Sequence, residues 1–426
     1  MTWSRRDIIK MGLLAAAHPL LPLRGIVSQA FAAPGAADAR FLLVFLRGGY
    51  DAANVVIPVG SEFYYQSRPT IAIPKPDPAN PLSAVPLPAR SDEAMWALHP
   101  ALKDSMLPLW NKGQLSFVPF AGSNDLTRSH FETQDSVESG MPIAATDVAP
   151  RRYGSGFLNR LVAALDGTGA PVSFTDNLPV VMTGEVVVPN VSLKGTGRPP
   201  FDDRQARLLA GMYAGTRFEP LIVDGFDLRK TVAEEAEAMA RGDASTSMAS
   251  EMIAANRNAI TARGFELEAR RMAGLMRDKF NVGFIDVGGW DTHVNQGAAQ
   301  GQLANLLTSL GQGLAGFADQ MGPAWNQTVV VVVSEFGRTF RENGTHGTDH
   351  GHGSIYWVLG GGISGGRLAG EQERIAPGTL NQDRDFPVLT EYRAAIGGLF
   401  KRMYSLDASR LSQIFPGSVA ADLGLL

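Results

Sequence analysis

Five consecutive valines, Val329 to Val333, follow a stripe of apolar residues at helical spacing: Leu303, Leu306, Leu310, Leu314, Phe317 and Met321. A run that is apolar at every position suits a strand buried on both faces, inside a sheet that helices cover. The same pairing occurs just before it, where Phe265, Ala269, Met272, Met276 and Phe280 lead into the apolar run Val282 to Val287. Helix alternating with strand predicts a mainly parallel sheet with right-handed crossovers. Phe41 to Leu46, Leu115 to Phe120 and Ile355 to Leu359 read as further strands, and Leu389, Tyr392, Ile396, Leu399 and Met403 mark a late helix.

Unusual polar residues follow these strands. After the first comes Arg47-Gly48-Gly49-Tyr50-Asp51, and after the second a loop leading to Thr127-Arg128-Ser129-His130-Phe131-Glu132. Gly288-Gly289-Trp290-Asp291-Thr292-His293 follows Val287. Ser334-Glu335-Phe336-Gly337-Arg338-Thr339 follows Val333, and then the densest cluster, His346-Gly347-Thr348-Asp349-His350-Gly351-His352. Ligands of open parallel sheets bind beyond the carboxyl ends of the strands, so these segments converge on one edge. Five of the seven histidines, His130, His293, His346, His350 and His352, lie there beside Asp51, Asp291, Glu335 and Asp349. Imidazole and carboxylate together suit zinc, manganese or a similar divalent ion. The plainer alternative is that they satisfy loop backbone groups.

Composition narrows the chemistry. With no cysteine, disulfides, thiolate nucleophiles and cysteine metal sites are all excluded. A formal charge of −4 over 426 residues excludes a basic nucleic-acid binder. Gly360 to Gly365 fits a dinucleotide pattern by letter, but Gly366-Arg367-Leu368-Ala369-Gly370 continues as loop where a helix would have to open, so no nucleotide cofactor is expected.

The N-terminus reads as an address. Twin arginines in Ser4-Arg5-Arg6-Asp7 precede a modest apolar run, Met11 to Leu23, in the manner of a twin-arginine export signal. That run falls short of the roughly 20 residues that span a bilayer, so no permanent membrane anchor is expected. Ala30-Phe31-Ala32 offers a cleavage site, which divides the chain into a leader, residues 1–32, and one large body, residues 33–426, with no linker or internal repeat inside it. Such a protein is periplasmic or extracellular, and its first partner is the twin-arginine export machinery.

The motifs Phe45-Leu46-Arg47-Gly48-Gly49-Tyr50-Asp51, Arg128-Ser129-His130-Phe131, Gly289-Trp290-Asp291-Thr292-His293, Ser334-Glu335-Phe336-Gly337-Arg338-Thr339 and Gly347-Thr348-Asp349-His350-Gly351-His352-Gly353 resemble an exported bacterial family known as domain of unknown function fifteen-oh-one. That family belongs to the alkaline phosphatase and sulfatase superfamily. The resemblance implies an alkaline phosphatase-like three-layer α/β/α sandwich holding one or two metals. It implies a ligand shell drawn from Asp51, Asp291, His293, Glu335, Asp349, His350 and His352. Phe336 stands where the superfamily has a histidine and cannot bind metal, which leaves the number of ions open. Sulfatases of the formylglycine type need Cys or Ser followed by Pro and Arg, and Ser67-Arg68-Pro69-Thr70-Ile71 lacks that arginine.

The implied nucleophile is Ser129, with Thr127 close enough to compete. Ser129-His130-Phe131-Glu132 also matches an ordinary capping box, in which the serine caps a helix. Arg128 or Arg338 would clamp the oxygens of an anionic substrate. Two functions follow: a metal-dependent hydrolase of small phosphate or sulfate esters, or a non-catalytic exported binding or assembly protein on the same scaffold.

Overall fold

The computed structural model describes residues 38–88, 96–143, 154–193, 211–212, 216 and 256–426. The leader expected over residues 1–32 lies outside them. Among the described residues, the main path of the sheet has seven strands: β1 (Arg40–Leu46), β2 (Leu115–Gly122), β3 (Pro171–Ser173), β4 (Val282–Gly288), β5 (Thr328–Ser334), β6 (Ser354–Leu359) and β7 (Thr390–Glu391). They run in the order β7-β2-β6-β5-β1-β4-β3, with the short strand Ile260–Thr261 also paired to β4. β1 lies at the centre, parallel to both neighbours, with Phe41 opposite Val282 on one side and Val329 on the other.

Alternation along the central strands separates two helical layers. Leu42, Val44, Leu46, Val330 and Val332 share one core with Met106, Met272, Leu310 and Leu314, which come from the helices Lys103–Asn111, Ala262–Asp278 and Gln302–Met321. Phe41, Leu43, Phe45, Val329, Val331 and Val333 share the other with Leu161, Phe400 and Ile414, from Phe157–Ala164, Tyr392–Tyr404 and Ala408–Ile414. The architecture is the expected α/β/α sandwich with a mainly parallel sheet.

The exception to parallel pairing positions the site. β6 runs antiparallel to both β5 and β2, because residues 335–353 return without a crossover helix. The loop before β6 therefore arrives at the edge where β1, β2, β4 and β5 end. Among the described residues no helix is long and apolar enough to cross a membrane.

Candidate metal centre

Loops from different strands lie backbone to backbone at this edge. A Cβ on Gly48, whose φ is +122°, would stand 2.5 Å from the Asp291 nitrogen, so only glycine lets the β1 and β4 loops close. A Cβ on Gly347 would meet the His293 carbonyl oxygen at 2.3 Å, which brings the loop before β6 against the same segment.

Three imidazoles and one carboxylate meet there. His130 Nε2 stands 2.9 Å from His350 Nε2, and His293 Nε2 stands 3.1 Å from the same atom. Asp291 Oδ1 lies 2.9 Å from His293 Nε2 and 3.2 Å from His350 Nε2, and its Oδ2 lies 3.6 Å from His130 Nε2. The opposite nitrogen of each ring decides what these contacts are. His130 Nδ1 faces Glu335 Oε1 at 2.8 Å, His293 Nδ1 faces Asp349 Oδ1 at 3.2 Å, and His350 Nδ1 faces the Arg128 carbonyl at 3.0 Å. Carboxylates and carbonyls only accept, so an imidazole that donates from Nδ1 to these groups turns its Nε2 lone pair inward, as a metal ligand must. A divalent cation among three such lone pairs and the Asp291 carboxylate would be held by all four. Histidines oriented by oxygen acceptors behind them form the usual surroundings of a divalent metal, and this nitrogen and oxygen set fits zinc or a manganese-like ion.

Burial would raise Asp291, but the three imidazoles around it and the Arg338 charge hold it far below the usual carboxylate range. Glu335 is likewise held at about 2 against its burial by His130 and Gln134. Burial would lower His130, yet Asp291 and Glu335 carry it up to about 9, whereas burial and the positive charges of His130 and Arg338 lower His350 despite Asp291.

One side of the centre is open. The His293 and His350 side chains are 37% and 26% exposed, against 9% for His130 and 11% for Asp291. The buried ring of Phe336 walls the other side, 4.9 Å from the His130 ring and 5.0 Å from His350. It offers no donor there. An apolar cleft of about 880 Å³ lined by Phe63, Trp96, Leu368 and Ile375 shares no residue with the centre.

Of the seven expected ligands, Asp291, His293 and His350 come together. Glu335 and Asp349 stand one step back, as acceptors behind His130 and His293. Asp51 needs correction: Arg68 holds both its oxygens, at 2.5 and 3.0 Å, and Gln296 adds a bond at 2.6 Å, making a buried ion pair. His352 is also displaced, buried where it feels the charges of Asp385, Arg128 and Asp125, with Nδ1 unbonded. The residue passed over is His130. Its place among the five edge histidines was the available signal, but the match to a capping box drew it into a helix terminus.

The groups expected to be catalytic differ in how free they are. Arg338 is fully buried, donating to the carbonyls of Gly48, Gly49, Thr348 and Trp290 and to Asp291, so it braces the loops and cannot clamp a ligand. Arg128 is tied to Gln382 at 2.9 Å and Asp385 at 3.1 Å, while its left-handed backbone, φ +56°, turns its carbonyl onto His350. Ser129 holds the N-cap position of the helix His130–Ser139 but makes no side-chain cap bond. Thr127 Oγ1 instead contacts Thr133 Oγ1 in that helix at 3.3 Å and accepts from the Ser129 nitrogen at 3.4 Å.

Residues 38–415 match the family described as "Protein of unknown function (DUF1501)". The chain belongs to this family. No curated protein matches it. Among solved structures, the DUF1501 chain is similar to a protein in the alkaline phosphatase superfamily from Vibrio parahaemolyticus, at 10% identity and a TM-score of 0.37, over 84% of this chain and 69% of that one. It is also similar to a lipoteichoic acid synthase from Listeria monocytogenes, at 10% identity and a TM-score of 0.38, over 92% of this chain and 78% of that one. Both are likenesses of fold.

Proposed function

We propose that this chain is an exported, metal-dependent hydrolase of phosphate or sulfate esters, with Asp291, His130, His293 and His350 holding the ion and Ser129 as nucleophile. The observation that carries the reading is the convergence of three inward-facing Nε2 atoms on Asp291 at a solvent-open edge. A divalent ion bound there supplies Lewis acidity, which polarises the ester and favours ionisation of a nearby hydroxyl. Ser129 lies between Arg128, whose carbonyl holds His350, and His130 itself, and its hydroxyl is free of the capping role. The amino end of the helix His130–Ser139 favours an anionic group beside it. Attack by Ser129 Oγ on phosphorus or sulfur releases the alcohol and leaves a seryl ester, which water cleaves to the free acid.

A second reading, a non-catalytic binding or assembly protein with a structural ion, is favoured by one observation. Both arginines expected to clamp an anion are engaged elsewhere. Metal-loaded protein assayed against aryl phosphates, phosphodiesters and aryl sulfates separates the two. Hydrolysis that stops on chelation and in Ser129→Ala supports the enzyme; bound metal without turnover of any of them supports the second reading. The export element has its own test: Arg5→Lys with Arg6→Lys should leave the precursor in the cytoplasm, and normal export of that variant would count against it.

A further inference from the structure

Behind His130 a buried chain of polar contacts runs into the protein. Arg47, at the end of β1, is only 1% exposed and donates to Asp286 at 2.6 Å, Glu138 at 2.8 Å and Gln134 at 2.8 Å. Arginine has no acceptor, so the Gln134 carbonyl must face it, and the Gln134 amide nitrogen then turns toward Glu335 Oε1 at 2.9 Å. The same oxygen accepts from the Gly48 nitrogen and from His130 Nδ1, both at 2.8 Å, while Glu335 Oε2 accepts from Ser334 Oγ at 2.9 Å. His130 and Gln134 lie four residues apart on one helix, so a single face presents both to Glu335. The Glu335 carboxylate is therefore fixed by donors from the loop after β1, from β5 and from that helix before anything binds on the far side of His130.

We propose that Glu335 is the positioning residue of the metal centre: it sets the tautomer and direction of His130, and Gln134 ties it to Arg47 so that the ligand is aimed in advance. The inference rests on the metal-centre reading. Unlike Asp349, whose side chain is 51% exposed, Glu335 is wholly buried and cannot exchange its partner for water. Replacing an acceptor of this kind weakens metal binding by roughly 10–100-fold.

The test is titration of the full chain, stripped of metal, with Co²⁺, following its visible absorption and affinity. Wild type, Glu335→Ala, the isosteric Glu335→Gln and Gln134→Leu are compared, with melting of each metal-free protein measured alongside. Glu335→Ala should bind Co²⁺ about 10–100-fold more weakly, with a changed spectrum. Glu335→Gln, which folds most safely and keeps an acceptor oxygen, should show a smaller loss in the same direction, as should Gln134→Leu. A purely structural role would lower the melting temperature and leave the spectrum and affinity of both Glu335 variants at wild-type values, which overturns the proposal. Wild type that binds no Co²⁺ would instead overturn the metal centre itself.

Discussion

Asp51 is the residue whose role the structure changes most, and Asp51→Asn tests the change. The side chain keeps its shape, but one carboxylate oxygen becomes an amide nitrogen facing donors, Arg68 Nη2 in one orientation or both Arg68 Nη1 and Gln296 Nε2 in the other. Arg68 is completely buried and loses its counter-charge. Breaking a buried pair from one side costs about 3–5 kcal/mol. Arg68 retains bonds to the carbonyls of Phe340 at 2.7 Å and Thr339 at 3.1 Å and to Asn54 Oδ1 at 2.9 Å, which places the cost near the lower end, about 3 kcal/mol. Urea unfolding of metal-free protein measures that loss, and Zn²⁺ titration of the folded variant should give wild-type stoichiometry with affinity changed by no more than a few-fold. Adding Arg68→Met removes the stranded cation, so the double variant should be more stable than the two single losses predict by about 0.5–3 kcal/mol. An Asp51→Asn protein of wild-type stability that has lost metal would refute the assignment and restore Asp51 to the ligand shell.

Other expectations follow from the same geometry. Ser129→Ala should abolish ester hydrolysis with an unchanged melting temperature, since no cap bond is lost, whereas Thr127→Ala should keep turnover and lose about 0.5–1.5 kcal/mol of stability; the reverse pattern would exchange their roles. His99 is fully buried, and burial lowers it from its usual 6.5 to about 4 despite its bond to the Ala298 carbonyl and the charge of Asp51. The unfolded chain therefore takes up that proton first, so its contribution is complete above about pH 6.5 and is lost as pH falls toward 4, by about 3 kcal/mol in all. Unfolding free energies measured between pH 4 and 7 should show a shallower slope in His99→Gln than in wild type, and equal slopes would remove His99 as the cause.

The scaffold was legible in the sequence because burial on both faces leaves a mark in one dimension. Val329 to Val333 and Val282 to Val287 identify central strands without knowledge of their neighbours, and the polar segments after them locate the edge where His293 and Asp291 emerge. Partners were not legible, because pairing depends on what the fold brings near. Asp51 looked like a free carboxylate until Arg68, 17 residues further along the chain, folded back onto it. Arg338 looked available until the carbonyls of four loop residues surrounded it. Ser129-His130-Phe131-Glu132 satisfied a local rule so well that His130 seemed explained, although Ser129 makes no cap bond and His130 stands against His350 and Asp291. That the Phe336 ring forms a wall against His130 and His350 could be seen only in three dimensions.

The central claim is that His130, His293, His350 and Asp291 hold a divalent ion, and metal content tests it most directly. His350 touches both other imidazoles and Asp291, so His350→Ala removes the shared contact. Elemental analysis of natively purified protein, before and after equilibration with Zn²⁺ and removal of the excess, should find bound divalent metal in the wild type and a strong loss of it in His350→Ala at unchanged fold. Wild-type protein without metal after equilibration, or a His350→Ala variant that keeps its full complement, would contradict the account.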